Sequence, residues 1–87
     1  MARVFIPAAW RDLSGGVLEV ELAGATVGEI IDALEGRFPG TEARACDEHG
    51  IAAGLAVSID DAVTTRGLHA AVKPDSEIHF LPAIGGG

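Results

Sequence analysis

The sequence predicts an α+β domain in which a mixed sheet of four to five strands packs on one main helix. Three observations carry this prediction. Val17-Leu18-Glu19-Val20-Glu21-Leu22 alternates apolar and acidic residues, as a half-buried strand does. A run with apolar residues at helical spacing follows a capping box at Thr26–Glu29. Two further alternating stretches lie at Leu55–Ile59 and Glu77–Leu81. With 87 residues the chain supports one modest core, and a single helix covering one sheet face is the two-layer solution open to it.

In chain order, Arg3–Ile6 reads as the first strand, stopped by Pro7. Ala8–Gly16 reads as a loop that carries Trp10 and closes on the turn signal Ser14-Gly15-Gly16. Trp10 has two readings, an exposed partner anchor or a cap on the core. Val17–Leu22 is the second strand, with Leu18, Val20 and Leu22 inward and Glu19 and Glu21 on a solvated face. In the helix Val27, Ile30, Ile31, Leu34 and Phe38 face the core, and Pro39-Gly40 ends it. Thr41–Gly50 is polar and irregular, with room for a short helical turn. Leu55, Val57 and Ile59 mark the third strand, Asp60-Asp61 a turn, Val63–Thr65 a short edge strand, and Lys73–Ser76 another turn. Glu77–Leu81 is the last strand, with Ile78 and Phe80 inward and His79 on the outer face. That order of elements is the β-grasp, the fold of ubiquitin. Residues 1–81 are expected to form the domain and 82–87 a flexible tail.

Thirteen acids against six bases give a net charge of −7. The bases are scattered, so nucleic acid and anionic membrane are poor partners, whereas a basic groove on another protein would attract this chain. Apolar runs are too short to span a bilayer, and the N-terminus lacks the zones of a signal peptide. Cys46 is the one cysteine, so a cytoplasmic, reducing setting is expected. Cys46-Asp47-Glu48-His49 gathers metal-binding residue types without metal-ligand spacing and reads as a solvated loop, with no metal expected. His69 and His79 stand isolated. No catalytic constellation is legible, so an enzyme is not expected.

The tail poses the functional question. Pro82-Ala83-Ile84-Gly85-Gly86-Gly87 finishes on residues that are costly to order but pass easily through a narrow channel, since glycine has no Cβ. A β-grasp domain with this tail resembles the MoaD/ThiS family of ubiquitin-like sulfur carriers. Gly86-Gly87 matches the family's terminal pair, and Gly85 stands where Ala or Ser is more usual. Within the family the resemblance is to the CysO-type carriers of cysteine formation. It is carried by Ile6-Pro7, Arg11, Ser14-Gly15-Gly16, Thr26, Gly28, Ile31, Leu34-Glu35, Phe38, Gly40, Arg44, Asp47, Gly67-Leu68 and Leu81-Pro82-Ala83. The stretch from Asp47 to Leu55 is shorter than in those carriers.

The resemblance implies that the Gly87 α-carboxylate, presented with Gly86, is adenylated and becomes a thiocarboxylate. The implied activating partner is an adenylyltransferase/sulfurtransferase like those that activate ubiquitin. ATP is used there, and no cofactor is bound by this chain. The implied acceptor is a PLP-dependent, cysteine synthase-type enzyme. The alternatives are the molybdopterin synthase large subunit, a thiamine-type pathway, or attachment to lysines of other proteins. Leu81, Pro82, Ala83, Ile84 and Gly85 form the partner-binding tail, with Leu81 and Ile84 as its apolar anchors. Fully extended, Leu81–Gly87 reaches at most ~23–25 Å, enough to enter a buried site.

Overall fold

The computed structural model describes residues 1–83. Strand β1 (Ala2–Phe5) leads through a 3-10 turn (Ala8–Trp10) and a short helix α1 (Arg11–Ser14) to β2 (Glu19–Leu22). Helix α2 (Val27–Arg37) and helix α3 (Thr41–Ala45) follow, then β3 (Cys46–Asp47), β4 (Gly50–Ile51), β5 (Leu55–Ile59) and β6 (Ala62–Val63). A second 3-10 turn (Gly67–His69) precedes β7 (Glu77–Pro82). Five strands form one mixed sheet in the order β2-β1-β7-β5-β6, while β3 and β4 pair separately. β1 and β7 run parallel at the centre, with antiparallel neighbours on both sides. This is the β-grasp expected from the sequence.

Helix α2 forms where its caps and apolar spacing agree. Thr26 Oγ1 accepts from the Glu29 N–H at 3.2 Å, and Glu29 Oε1 accepts from the Ala25 N–H at 3.0 Å. Two amide donors at the helix start are thereby satisfied. Val27, Ile30, Ile31 and Leu34 are all buried, and they meet Val4, Val57, Ile78 and Phe80 in one core. Phe38, expected in that core, is half-buried, since the helix ends at Arg37 and Phe38 has left helical geometry. Gly40, at φ +103°, turns the chain, and the Glu35 carboxylate accepts from the N–H groups of Gly40 and Glu42. Those bonds join α2 to α3.

Three segments differ from the sequence reading. Ala8–Gly16 is not an irregular loop but a 3-10 turn followed by α1, and it buries Trp10 and Ser14. Thr41–Gly50 carries the short helical turn as α3, but it is not otherwise irregular, since it also holds β3 and the first residue of β4. Leu18, expected inward, is 58% exposed. The β1–β2 ladder stops at Phe5↔Glu19, and the positive φ angles of Gly15 and Gly16 turn the chain just before it. The Leu18 carbonyl still accepts from the Ile6 N–H at 2.8 Å, but this single bond lies outside the paired strands and leaves the side chain open to solvent.

The Asp60-Asp61 turn closes the β5–β6 hairpin with both residues at positive φ, 51° and 71°, the type I′ geometry that asparagine, aspartate and glycine tolerate. Asp60 also ties this hairpin to the entry of β7. Its carboxylate accepts from the Glu77 N–H at 2.9 Å and the Ser76 hydroxyl at 3.0 Å. These two bonds, the backbone donor first, hold the carboxyl below its ordinary value of 3.8, with help from Lys73. A depressed carboxyl stabilises the fold above its unfolded value, and the contribution is lost as pH falls through the folded value. Asp60→Asn is therefore expected to be less stable than the parent at pH 7. The gap should narrow below pH 3.8. Urea melts from pH 7 to pH 2 check this, and a gap constant across the range would remove the ionised carboxylate from the account.

Candidate functional site

The site begins where β7 leaves the sheet. On one flank Ala56 pairs with Leu81 and Leu55 with Pro82, and the Ala83 N–H donates to the Gly54 carbonyl at 2.8 Å. Among the described residues that is the final rung. Gly54, at φ +85°, turns the chain, and the Leu55 N–H is already bonded to the Ala52 carbonyl. On the other flank the β1–β7 ladder stops at Phe5↔His79. Beyond that point Pro82 has no strand to donate to, which is why a proline is tolerated in this strand. The strand thus runs through Pro82, one residue past the expected Leu81.

The ground around this exit is apolar. Leu81 is 39% exposed on the outer sheet face, beside Val63, which is 61% exposed. Together with Ala56, Pro82 and Ala83 they line an open cleft of about 550 Å³. A second cleft of about 510 Å³ lies towards the 3-10 turn and is walled by Ala8, Ala9, Trp10, Leu55, Phe80 and Pro82 among others. Leu81, Pro82 and Ala83 are therefore brought together at one edge of the domain. Ile84, Gly85, Gly86 and Gly87 lie outside the described residues.

Trp10 supports this edge from within. It is 5% exposed, and its ring lies 4.9 Å from Phe80, the residue before Leu81. The structure thereby decides between its two readings in favour of the core cap. Its segment is held by Arg44, which forks onto the two Asp12 oxygens at 2.8 and 2.9 Å and also reaches the Ala9 carbonyl at 2.9 Å. The Arg44 hydrogen bonds hold the Asp12 carboxyl below its usual range. This link spans 32 positions, so no local pattern could reveal it. His79, expected on the outer face, is half-buried there because its ring stacks on Phe5 with centroids 4.2 Å apart and planes at 6°. The parallel β1–β7 register places the two side by side.

The remaining candidates lie elsewhere. Cys46 is half-buried in a groove with Gly28, Ile31, Asp32, Glu42 and Leu68, none of them from β7. Burial pushes its thiol up, and the carboxylates of Glu42, Asp32 and Asp47 push it further, so the nucleophilic thiolate is disfavoured. Asp47 accepts from the His49 N–H at 2.8 Å as in an ordinary turn, and Glu48 and His49 are exposed. Among the described residues no three His, Cys, Asp or Glu side chains gather as a metal site. His69 is exposed on the second 3-10 turn. No described helix is long and apolar enough to cross a membrane.

Comparison with known proteins agrees with this geometry. The ThiS family matches residues 4–87. A chain in the crystal structure of the Amycolatopsis orientalis BexX/CysO complex is 38% identical, with full coverage of both chains and a TM-score of 0.91. Mycobacterium tuberculosis CysO is 26% identical over 97% of this chain and 100% of its own, with a TM-score of 0.88. SAMP1 from Haloferax volcanii is 25% identical over 99% and 98%, with a TM-score of 0.73. No curated protein matches the sequence. The chain belongs to the ThiS family of ubiquitin-like β-grasp sulfur carriers.

Proposed function

We propose that this protein carries sulfur on the α-carboxylate of Gly87 and delivers it for cysteine formation. The observation behind this reading is the exit of β7: an apolar edge built from Leu81, Pro82 and Ala83, with a backbone rung still made at Ala83, followed in the sequence by Ile84 and three glycines. A carboxylate of reference pKa about 3.3–3.7 is ionised at neutral pH and is a poor electrophile. Its oxygen attacks the α-phosphorus of ATP on an activating enzyme, pyrophosphate leaves, and an acyl-adenylate results. Sulfide then attacks the acyl carbon and displaces AMP, leaving a thiocarboxylate; where an enzyme persulfide attacks instead, AMP leaves an acyl disulfide, and a second enzyme thiol breaks its S–S bond, freeing the thiocarboxylate and leaving the enzyme as a disulfide. This chain contributes the terminus and the docking edge, and the nucleotide and any PLP belong to its partners. The likeness to a chain of the BexX/CysO complex supports the cysteine branch.

The test is a mass measurement. Incubated with its activating enzyme, ATP and a sulfur donor, the protein should gain the difference of sulfur for oxygen, confined to its C-terminal peptide. Cys46→Ser should gain it equally, since the raised thiol of Cys46 makes it a poor carrier. A cysteine-forming synthase with an activated serine should then discharge the carrier, leaving cysteine attached to Gly87 first. Discharge only by a molybdopterin-type partner would overturn the branch. A protein that is never charged would overturn the whole reading. The likeness to SAMP1 favours one second reading, attachment of Gly87 to other proteins, which ladders on blots against this protein would reveal.

Leu81 is expected to act as an anchor for the activating enzyme. Leu81→Ala should cost ~1–2 kcal/mol in binding, as loss of an interface anchor does. The melting temperature should barely move, because the side chain is 39% exposed. Calorimetric titration beside a thermal melt decides the matter; a large melting shift with unchanged binding would assign Leu81 to the core.

A further inference from the structure

We infer that the cleft beside Arg11 receives an apolar side chain and an adjacent carboxylate of the activating enzyme, and so sets the rotational register in which the tail is presented. The inference rests on the proposed function. The cleft, about 420 Å³, lies on the side of Leu81 away from β5 and is lined by Arg11, Leu18, Glu19, Leu81 and the stacked rings of Phe5 and His79. Its walls are mixed: Leu18, 58% exposed, and Leu81, 39% exposed, give it an apolar floor, with Arg11 and Glu19 as its charged members.

The chain carries −7, so long-range attraction selects a basic partner surface. Arg3 faces Glu77 at 3.9 Å, Arg44 grips Asp12 at 2.8 Å, and Arg37 lies over the Phe38 ring at 5.6 Å. Arg66 and Lys73, like Arg11, make no ion pair among the described residues, but of the six bases only Arg11 lines one of the clefts described above. Arg11 donates one bond, to the Ile6 carbonyl at 3.5 Å, and among the described residues no carboxylate reaches it within ion-pair distance. That bond aims the guanidinium over the end of β1 and leaves most of its five donors open. A planar fork beside an apolar floor matches a partner carboxylate next to an apolar anchor, and a planar donor pair fixes orientation as well as contact. General acidity brings the activating enzyme to this protein. Arg11 then selects one docking angle.

The experiment titrates the activating enzyme that charges the parent in the mass assay against Arg11→Glu, Arg11→Lys and Leu18→Ala. Arg11→Glu should weaken binding about tenfold or more, as charge reversal at a complementary contact does. Arg11→Lys should weaken it less, and Leu18→Ala several-fold. Melting temperatures should hold, since Arg11 makes one long bond within the domain. If Arg11→Glu binds like the parent while the parent is charged, the cleft is not the contact and the proposed function stands. If the parent is never charged, both fall. Were the carboxylate supplied by Gly87 of the same molecule, Arg11→Glu would shift the Gly87 amide resonance of the free protein, and the inference would be overturned. Were the occupant a second copy, sedimentation of the protein alone would show a dimer that Arg11→Glu dissolves, with the same consequence.

Discussion

Trp10→Ala is expected to remove about 3–5 kcal/mol of stability, the usual cost of deleting a large buried aromatic. For a domain with roughly 5–15 kcal/mol in total, that is a large share of what holds it folded. The indole is 5% exposed and packs on Phe80, which is itself 4% exposed and next to Leu81 in β7. Removing it opens a void directly behind the edge from which the tail departs. A melting temperature lower by about 15 °C or more follows from the entropy of unfolding a domain of this size. Charging by the activating enzyme, measured well below that temperature, should also fall, because β7 loses its backing just before Leu81 and the Ala83 rung. Trp10→Phe, which keeps a ring against Phe80, should recover most of both. A melting shift of only a few degrees, with charging still lost, would make Trp10 a partner contact instead.

That dual status of Trp10 shows what a local pattern can and cannot carry. Helix α2 was legible because its cap, apolar spacing and stop all lie within a dozen residues: Thr26 and Glu29 bond as a capping box suggests, although Glu29 reaches the N–H of Ala25 and not that of Thr26. The strands were legible because alternation is local as well. Trp10 was not, since its surroundings are set by Phe80 and by the Asp12–Arg44 bridge, both distant in sequence. Helix α3 has five residues, too few to show a period. Leu18 fits the alternation and is still exposed, because it lies past the last pair of the β1–β2 ladder, where one bond to Ile6 remains and no strand covers the side chain.

The tail edge was legible in composition and hidden in geometry. Leu81, Pro82 and Ala83 could be named from their order alone. That the sheet holds the chain through Ala83 depends on Gly54 turning β5 away, and that Pro82 fits depends on β1 having stopped at Phe5. Neither follows from residues 77–83 taken by themselves.

Appending one alanine after Gly87 is expected to abolish adenylation while leaving the melting temperature where it was. The fold should be indifferent because four residues separate the addition from Ala83 and it lies outside the buried core, all of which lies within residues 2–80. The chemistry is not. In the extended protein the Gly87 carbonyl belongs to a peptide bond, so the reacting oxygen disappears from its place, and the new carboxylate stands up to ~3.3–3.6 Å further along the tail. Displacements of about 1 Å at a reacting centre can cost on the order of 100-fold in rate, and here the leading residue also carries a Cβ into a passage that glycine would thread. Deleting Gly87 should fail for the opposite reason, with the carboxylate short of the α-phosphorus by the same distance. Pyrophosphate release with parent, extended and shortened proteins measures all three on one scale, and intact mass shows whether a protease has trimmed the addition. Adenylation of the untrimmed, extended protein at the parent rate would mean that the carboxylate of Gly87 is not the group being activated.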